Sequence, residues 1–102
     1  ETKTDSLIAN ITIRLNLESE ENYIIDNITL NVPGLSLPLF IDNLNQAVSK
    51  GTQTVNISYN GEVELVEKQN NRMNLLKGHL EIKNTEGVSK RIDFSLPFKA
   101  NW

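Results

Sequence analysis

Odd positions from Leu7 to Leu17 are apolar (Leu7, Ala9, Ile11, Ile13, Leu15, Leu17), while Asn10, Thr12, Arg14 and Asn16 between them are polar. A period of two held this long predicts a strand with one dry face and one wet face. "ESEEN" at 18 to 22 ends it in a polar turn. From Ile24 the even positions Ile24, Ile28, Leu30 and Val32 carry the apolar side, and Asp26 interrupts it. One extra residue near Asp26 and Asn27, a β-bulge, removes that misfit.

The rhythm stops at Val32-Pro33-Gly34-Leu35. Pro33 presets φ for the second position of a type II turn, and Gly34 accepts the positive φ of the third. Alternation resumes in Leu35, Leu37, Leu39 and Ile41, with Pro38 placing the segment at a sheet edge or a bulge. Phe40 falls out of this phase. In "DNLNQAVSKG" the spacing of Leu44, Ala47 and Val48, with Asp42 as cap and Gly51 as stop, predicts a short helix over about 42–50, beneath which Phe40 is expected to be buried, with an exposed Phe40 as the alternative.

Val55, Ile57 and Tyr59 alternate with Asn56 and Ser58, and Val63 and Leu65 with Glu62 and Glu64. Asn60-Gly61 between them is a hairpin signal, yet the phase runs through it unbroken, so one long strand with a glycine bulge is the other reading. "EKQNNRMN" at 67 to 74 reads as a loop, Leu76, Gly78, Leu80 and Ile82 as the next face, "NTEG" at 84 to 87 as a turn, and Ile92, Phe94, Leu96 and Phe98 as the last face. The sum is an all-β chain: an antiparallel immunoglobulin-like β-sandwich of about seven strands with at most one short helix. An open barrel is the alternative. Residues 1–6, "ETKTDS", read as a polar tether, and 7–102 as one domain.

Composition narrows the partners more than the fold. The 102 residues carry a net charge of −3 with no run of Lys and Arg, which argues against a nucleic-acid partner. No apolar run approaches the ~20 residues of a membrane-spanning helix. With no cysteine there is no disulfide framework and no thiolate. Asn10-Ile11-Thr12, Asn27-Ile28-Thr29 and Asn56-Ile57-Ser58 are glycosylation triplets, of the kind that alternating strands rich in Asn, Thr and Ser also produce by chance.

Candidate chemistry is sparse. His79 is the single histidine and alternation sets it opposite Leu80 and Ile82, on a wet face; no G-x-S-x-G elbow supplies a nucleophile for it. Oxygen ligands for calcium are available in Glu18, Glu20, Glu21 and Asn22, or in Asp42, Asn43 and Asn45, without the spacing of a calcium loop. Glu62 and Glu64 point away from Val63 and Leu65, a stripe expected to face solvent, with Lys or Arg on a neighbouring strand as the alternative. Phe94 and Phe98 keep the phase of Ile92 and Leu96 and are assigned to the core; Tyr23, Phe40, Tyr59 and Trp102 are scattered. No catalytic, cofactor-binding or metal-binding residue is named on these grounds.

Four stretches, "IANITIRLNL", "ENYIIDNITLNVPGLSLPL", "VSKGTQTVNISYNGEVEL" and "LLKGHLEIKNTEGVSKRIDFSLPFKA", come in an order that resembles the late-embryogenesis-abundant type 2 (water-stress) β-sandwich family. The family's ending, "GxLxI…G…IPF", is similar to "KGHLEI…EGVSKRIDFSLPF" here. Its Asn-Pro-Asn stretch is missing, with "SEEN" in place, and its longer segment before the penultimate strand is cut to "EKQNNRMN". The resemblance implies a non-enzymatic, stress-associated or envelope-associated interaction domain and carries over no functional residue. The expectation is therefore a non-catalytic module, exported and tethered, whose partner is another protein or a cell-envelope component. The alternative is a carrier of a small apolar ligand in a cavity between the sheets, lined by Leu37, Ile57 and Leu80. An enzyme would have to gather His79 with at least two acids in a cleft.

Overall fold

Seven strands succeed one another in a computed structural model that describes residues 5–102: β1 (Asp5–Ser19), β2 (Tyr23–Asn31), β3 (Leu39–Ile41), β4 (Gln46–Val48), β5 (Gly51–Leu65), β6 (Met73–Asn84) and β7 (Ser89–Lys99). Of the expected tether, residues 1–4 lie outside the described residues, and Asp5 and Ser6 already belong to β1. All pairings are antiparallel. β1 and β5 form a two-stranded sheet; β3, β2, β6 and β7 form the larger one, in which β4 also pairs with β2. The two sheets pack face to face as a sandwich.

The dry faces are the ones the alternation marks. Ala9, Ile11, Ile13 and Leu15 of β1 and Val55, Ile57 and Val63 of β5 meet Leu76, Leu80 and Ile82 of β6 in one core. Each Leu or Ile removed from water there stabilises the fold by roughly 1.5–3 kcal/mol. β2 does carry a bulge, between Ile25 and Asn27. Its effect is a change of phase: Tyr23 and Ile25 point inward before it, Ile28 and Leu30 after it, and Ile24 faces solvent rather than the core.

Pro33 and Gly34 form the expected turn, with Gly34 at φ 88° and the Leu35 N–H donating to the Val32 carbonyl at 3.3 Å. Beyond the turn the chain is not a regular strand. Leu35 leaves the larger sheet and bridges to Leu65 at the end of β5, and Leu37 is 70% exposed, so only Leu39 to Ile41 return to β2.

The helix expected over 42–50 does not form. Asn43 and Asn45 adopt positive φ, the Leu44 N–H donates to the Asp26 carbonyl at the bulge, and Gln46–Val48 continue as β4. β3 and β4 are thus two halves of one edge, kinked where β2 is bulged. With no helix to cover it, Phe40 stands 58% exposed. Asn60-Gly61 makes no hairpin; β5 runs through it, and Ala9 pairs with Gly61. A Cβ at Gly61 would come within 3.0 Å of the Tyr59 hydroxyl, so the glycine makes room for that ring.

Candidate functional site

The larger sheet outreaches the smaller one. Along β6 the inward row of Leu76, Gly78, Leu80 and Ile82 is buried; along β7, one strand further out, Ile92, Phe94, Leu96 and Phe98 are only half-buried. These aromatic residues pack against the core, as their phase predicts, and keep one flank open. β1 and β7 together flank two depressions on this side. One, of about 380 Å³, includes Asn10, Thr12, Phe98, Lys99 and Trp102; the other, of about 550 Å³, includes Glu18, Glu21, Lys90 and Ile92.

The lower end of this side is fixed by a device within 67–74, where the residue pattern indicates only a loop. Gln69 is 4% exposed, and its side-chain amide donates to the Glu67 carbonyl at 3.2 Å and accepts from the Asn74 amide. The backbone N–H groups of Gln69 and Asn70 both donate to the Trp102 carbonyl, and that of Asn71 to the Ala100 carbonyl. Asn70 and Asn71 take positive φ to aim them. The chain end is thereby held against the loop, and the Trp102 ring lies 6.3 Å from that of Phe98. Gln69 also packs under Gly34, where a Cβ would meet its side chain at 2.8 Å. The one signal in the residues themselves is a Gln among neighbours that suit tight turns.

His79 lies half-buried on the outer face of the larger sheet, in a row with Phe40, Thr29 and Asp93. A shallow depression of about 500 Å³ there is lined by Lys77, His79, Arg91 and Asp93 among others. Asp93 is already engaged: its Oδ1 accepts from Arg91 Nε at 2.9 Å. Glu81 sits further along the same face, opposite Arg91. Among the described residues no three His, Asp or Glu side chains are grouped to hold a metal ion. Two of the oxygens considered for calcium serve the backbone, Asn22 Oδ1 accepting from Lys50 N–H at 2.7 Å and Asp42 Oδ1 from Asn43 N–H at 2.9 Å.

Glu62 and Glu64 face solvent, as the stripe predicts, and pair with no cation among the described residues. They stand opposite Ile8 and Ser6, and accept from the hydroxyls of Ser6 at 2.6 Å and Ser36 at 3.2 Å. Apart from Ile8 and Arg14, the middle of the small sheet's outer face is a ladder of short polar side chains. The hydroxyls of Thr12 and Ser58 lie 3.0 Å apart, and Thr54 donates to Asn16 at 2.9 Å. Asn10 and Asn56 of two glycosylation triplets are exposed on this face, whereas Asn27 is drawn into the bulge with its Oδ1 buried. Ile57 and Leu80 are core residues, but Leu37 is outside, so the three line no common cavity.

Burial raises the Tyr23 phenol above its ordinary value of 10.0. No family model, no curated protein and no solved structure matches the chain.

Proposed function

We propose that this chain is a non-catalytic β-sandwich module that binds another protein along the side between β1 and β7, in an exported or envelope-associated setting. The observation that carries the reading is the half-buried row of β7 beyond the reach of the smaller sheet. Ile92, Phe94, Leu96 and Phe98 are apolar, contiguous and in register with the core, which is the composition of an interface centre. The exported setting draws its support from the water-stress family resemblance. A structural or stress-protective role would result from such binding, with no chemistry at His79 required.

Photo-activatable phenylalanine in place of Asn10 or Lys99, in cells that make the protein, tests this directly. Discrete covalent adducts are expected from these positions and not from Thr54 or Asn56 on the far strand of the small sheet. His79→Ala should leave the adducts unchanged. Equal labelling from both strands, or none from Asn10 and Lys99, would end the proposal.

A further inference from the structure

We infer that Asn60 is a modification site: in water its side-chain amide is converted to a carboxylate through a ring closed by the Gly61 nitrogen, and the pairing of β5 with β1 holds that reaction back until the pair opens. Asn60-Gly61 is the only Asn-Gly in the 102 residues. It makes no turn and lies inside the fifteen-residue β5, with Asn60 exposed and Gly61 half-buried.

The two residues dictate the chemistry. The Gly61 nitrogen gives up its proton and bonds to the Asn60 Cγ; the bond from Cγ to the side-chain nitrogen breaks, and that nitrogen leaves as ammonia with the proton. The resulting five-membered imide then takes up one water. Opening at one carbonyl gives aspartate, and at the other isoaspartate, in which the main chain runs through Cβ. Glycine suits the step because it carries no Cβ to obstruct the nitrogen and its backbone turns freely.

In the folded chain this nitrogen is occupied. Residues of an antiparallel pair alternately exchange both N–H and C=O with the partner or turn both away. The Glu64 carbonyl accepts from the Ser36 N–H at 2.9 Å and the Glu62 carbonyl from the Tyr59 hydroxyl at 3.0 Å, so the even-numbered residues here face away from β1. Gly61 therefore faces β1, and its N–H donates to the carbonyl of Ala9, its partner in register. The nitrogen cannot turn onto Cγ without leaving the ladder. β1 pairs with β5 alone among the described residues and its other edge is open, so lifting it breaks one ladder rather than two. Local opening of this pair is the route to reaction.

The two products act differently on the sheet. Aspartate keeps the length of the chain and adds a charge two residues from Glu62. Isoaspartate lengthens the main chain by one carbon, so Val63 and Leu65 are displaced from Leu7 and Asp5, and the hold of Glu64 on Ser36 is disturbed with them.

The test is to keep the 102-residue chain in mildly alkaline buffer, native or denatured in guanidinium chloride, and to follow every asparagine by peptide mapping and mass spectrometry. In the denatured chain Asn60 should lose its amide faster than any other asparagine, giving both aspartate and isoaspartate; in the native chain the loss should be at least about tenfold slower. Val63→Ala, which removes buried contacts two residues from Gly61, should speed the native loss by about tenfold. Gly61→Ala should slow the denatured loss. If Val63→Ala does not fold, the unsubstituted chain in the two solvents decides. Equal native and denatured rates would overturn protection by pairing, faster denatured loss at another asparagine would overturn the choice of site, and aspartate as the sole product would overturn the ring. In the isolated isoaspartyl chain, amide exchange at Leu7 and Ala9 should rise by at least about tenfold and that at Leu15 should not; unchanged exchange at Leu7 and Ala9 would overturn the displacement.

Discussion

Gly78→Ala is the sharpest single test of the packing. Gly78 lies on the inward face of β6, between Leu30 of β2 and Phe94 of β7. A Cβ there would come to 2.4 Å from the Thr29 carbonyl oxygen and 2.8 Å from the tip of the Phe94 ring. The ring can yield, since β7 is an edge strand and Phe94 is only half-buried. The carbonyl cannot yield without moving the bulged central strand. Overpacking of this kind costs about 1–3 kcal/mol, offset by the ~0.5–1 kcal/mol that alanine gains over glycine within a strand. The net loss, up to about 2.5 kcal/mol, would lower the melting midpoint by roughly 4–8 °C for each kcal/mol in a domain of this size. Urea and thermal unfolding monitored by circular dichroism measure it, with an unchanged m-value showing that the native fold persists. Adding Phe94→Leu should recover only the part due to the ring, giving a coupling of about 0.5 kcal/mol or more. A Gly78→Ala protein more stable than the parent would refute the close approach to the Thr29 carbonyl, and the absence of coupling to Phe94→Leu would refute that of the ring.

Gly61→Ala meets only the movable end of Tyr59, so it should change stability by no more than about 0.5 kcal/mol in the same unfolding assay. Gln69→Ala should destabilise by about 1–3 kcal/mol, because the Asn74 amide and the loop around Gly34 lose their buried partner; unfolding gives the size, and faster exchange at Asn70 and Asn71 shows that the hold on Ala100 and Trp102 has loosened. Stability should fall as pH rises past 10.0, the ordinary Tyr23 value. There the unfolded chain loses the Tyr23 proton while the folded one keeps it, so the unfolded state binds fewer protons and the slope is negative. Tyr23→Phe, compared by urea titration at pH 8 and above 10, should flatten that slope.

Where one face of a strand is buried against the other sheet, alternation in the residues was enough to place it. Leu7 to Leu17, the Leu76 to Ile82 row and the Pro33-Gly34 turn are of this kind, since period, proline and glycine act locally. The bulge at Asp26 was legible as a misfit, but the change of phase that it produces moved Ile24 outward and Ile25 inward. Leu44, Ala47 and Val48 have helical spacing, and it lost to the backbone of β2, which offers Gln46–Val48 a ladder. Leu37 kept its period and still faces water, because its segment is crossing from one sheet to the other. Asn60-Gly61 suits a hairpin, but the fifteen-residue pairing with β1 overrode it. The candidate site was the least legible part. An edge depends on which strands meet, and no residue of β1 announces that β5 is its one partner among the described residues.

Amide hydrogen exchange on the free 102-residue chain addresses β1 most directly. Between Leu7 and Leu17, protected and unprotected amides should alternate residue by residue, while β6, paired with β2 and β7, is protected at both parities over Lys77 to Ile82. Uniform protection along β1 would contradict the open edge, and uniform rapid exchange would contradict its pairing with β5.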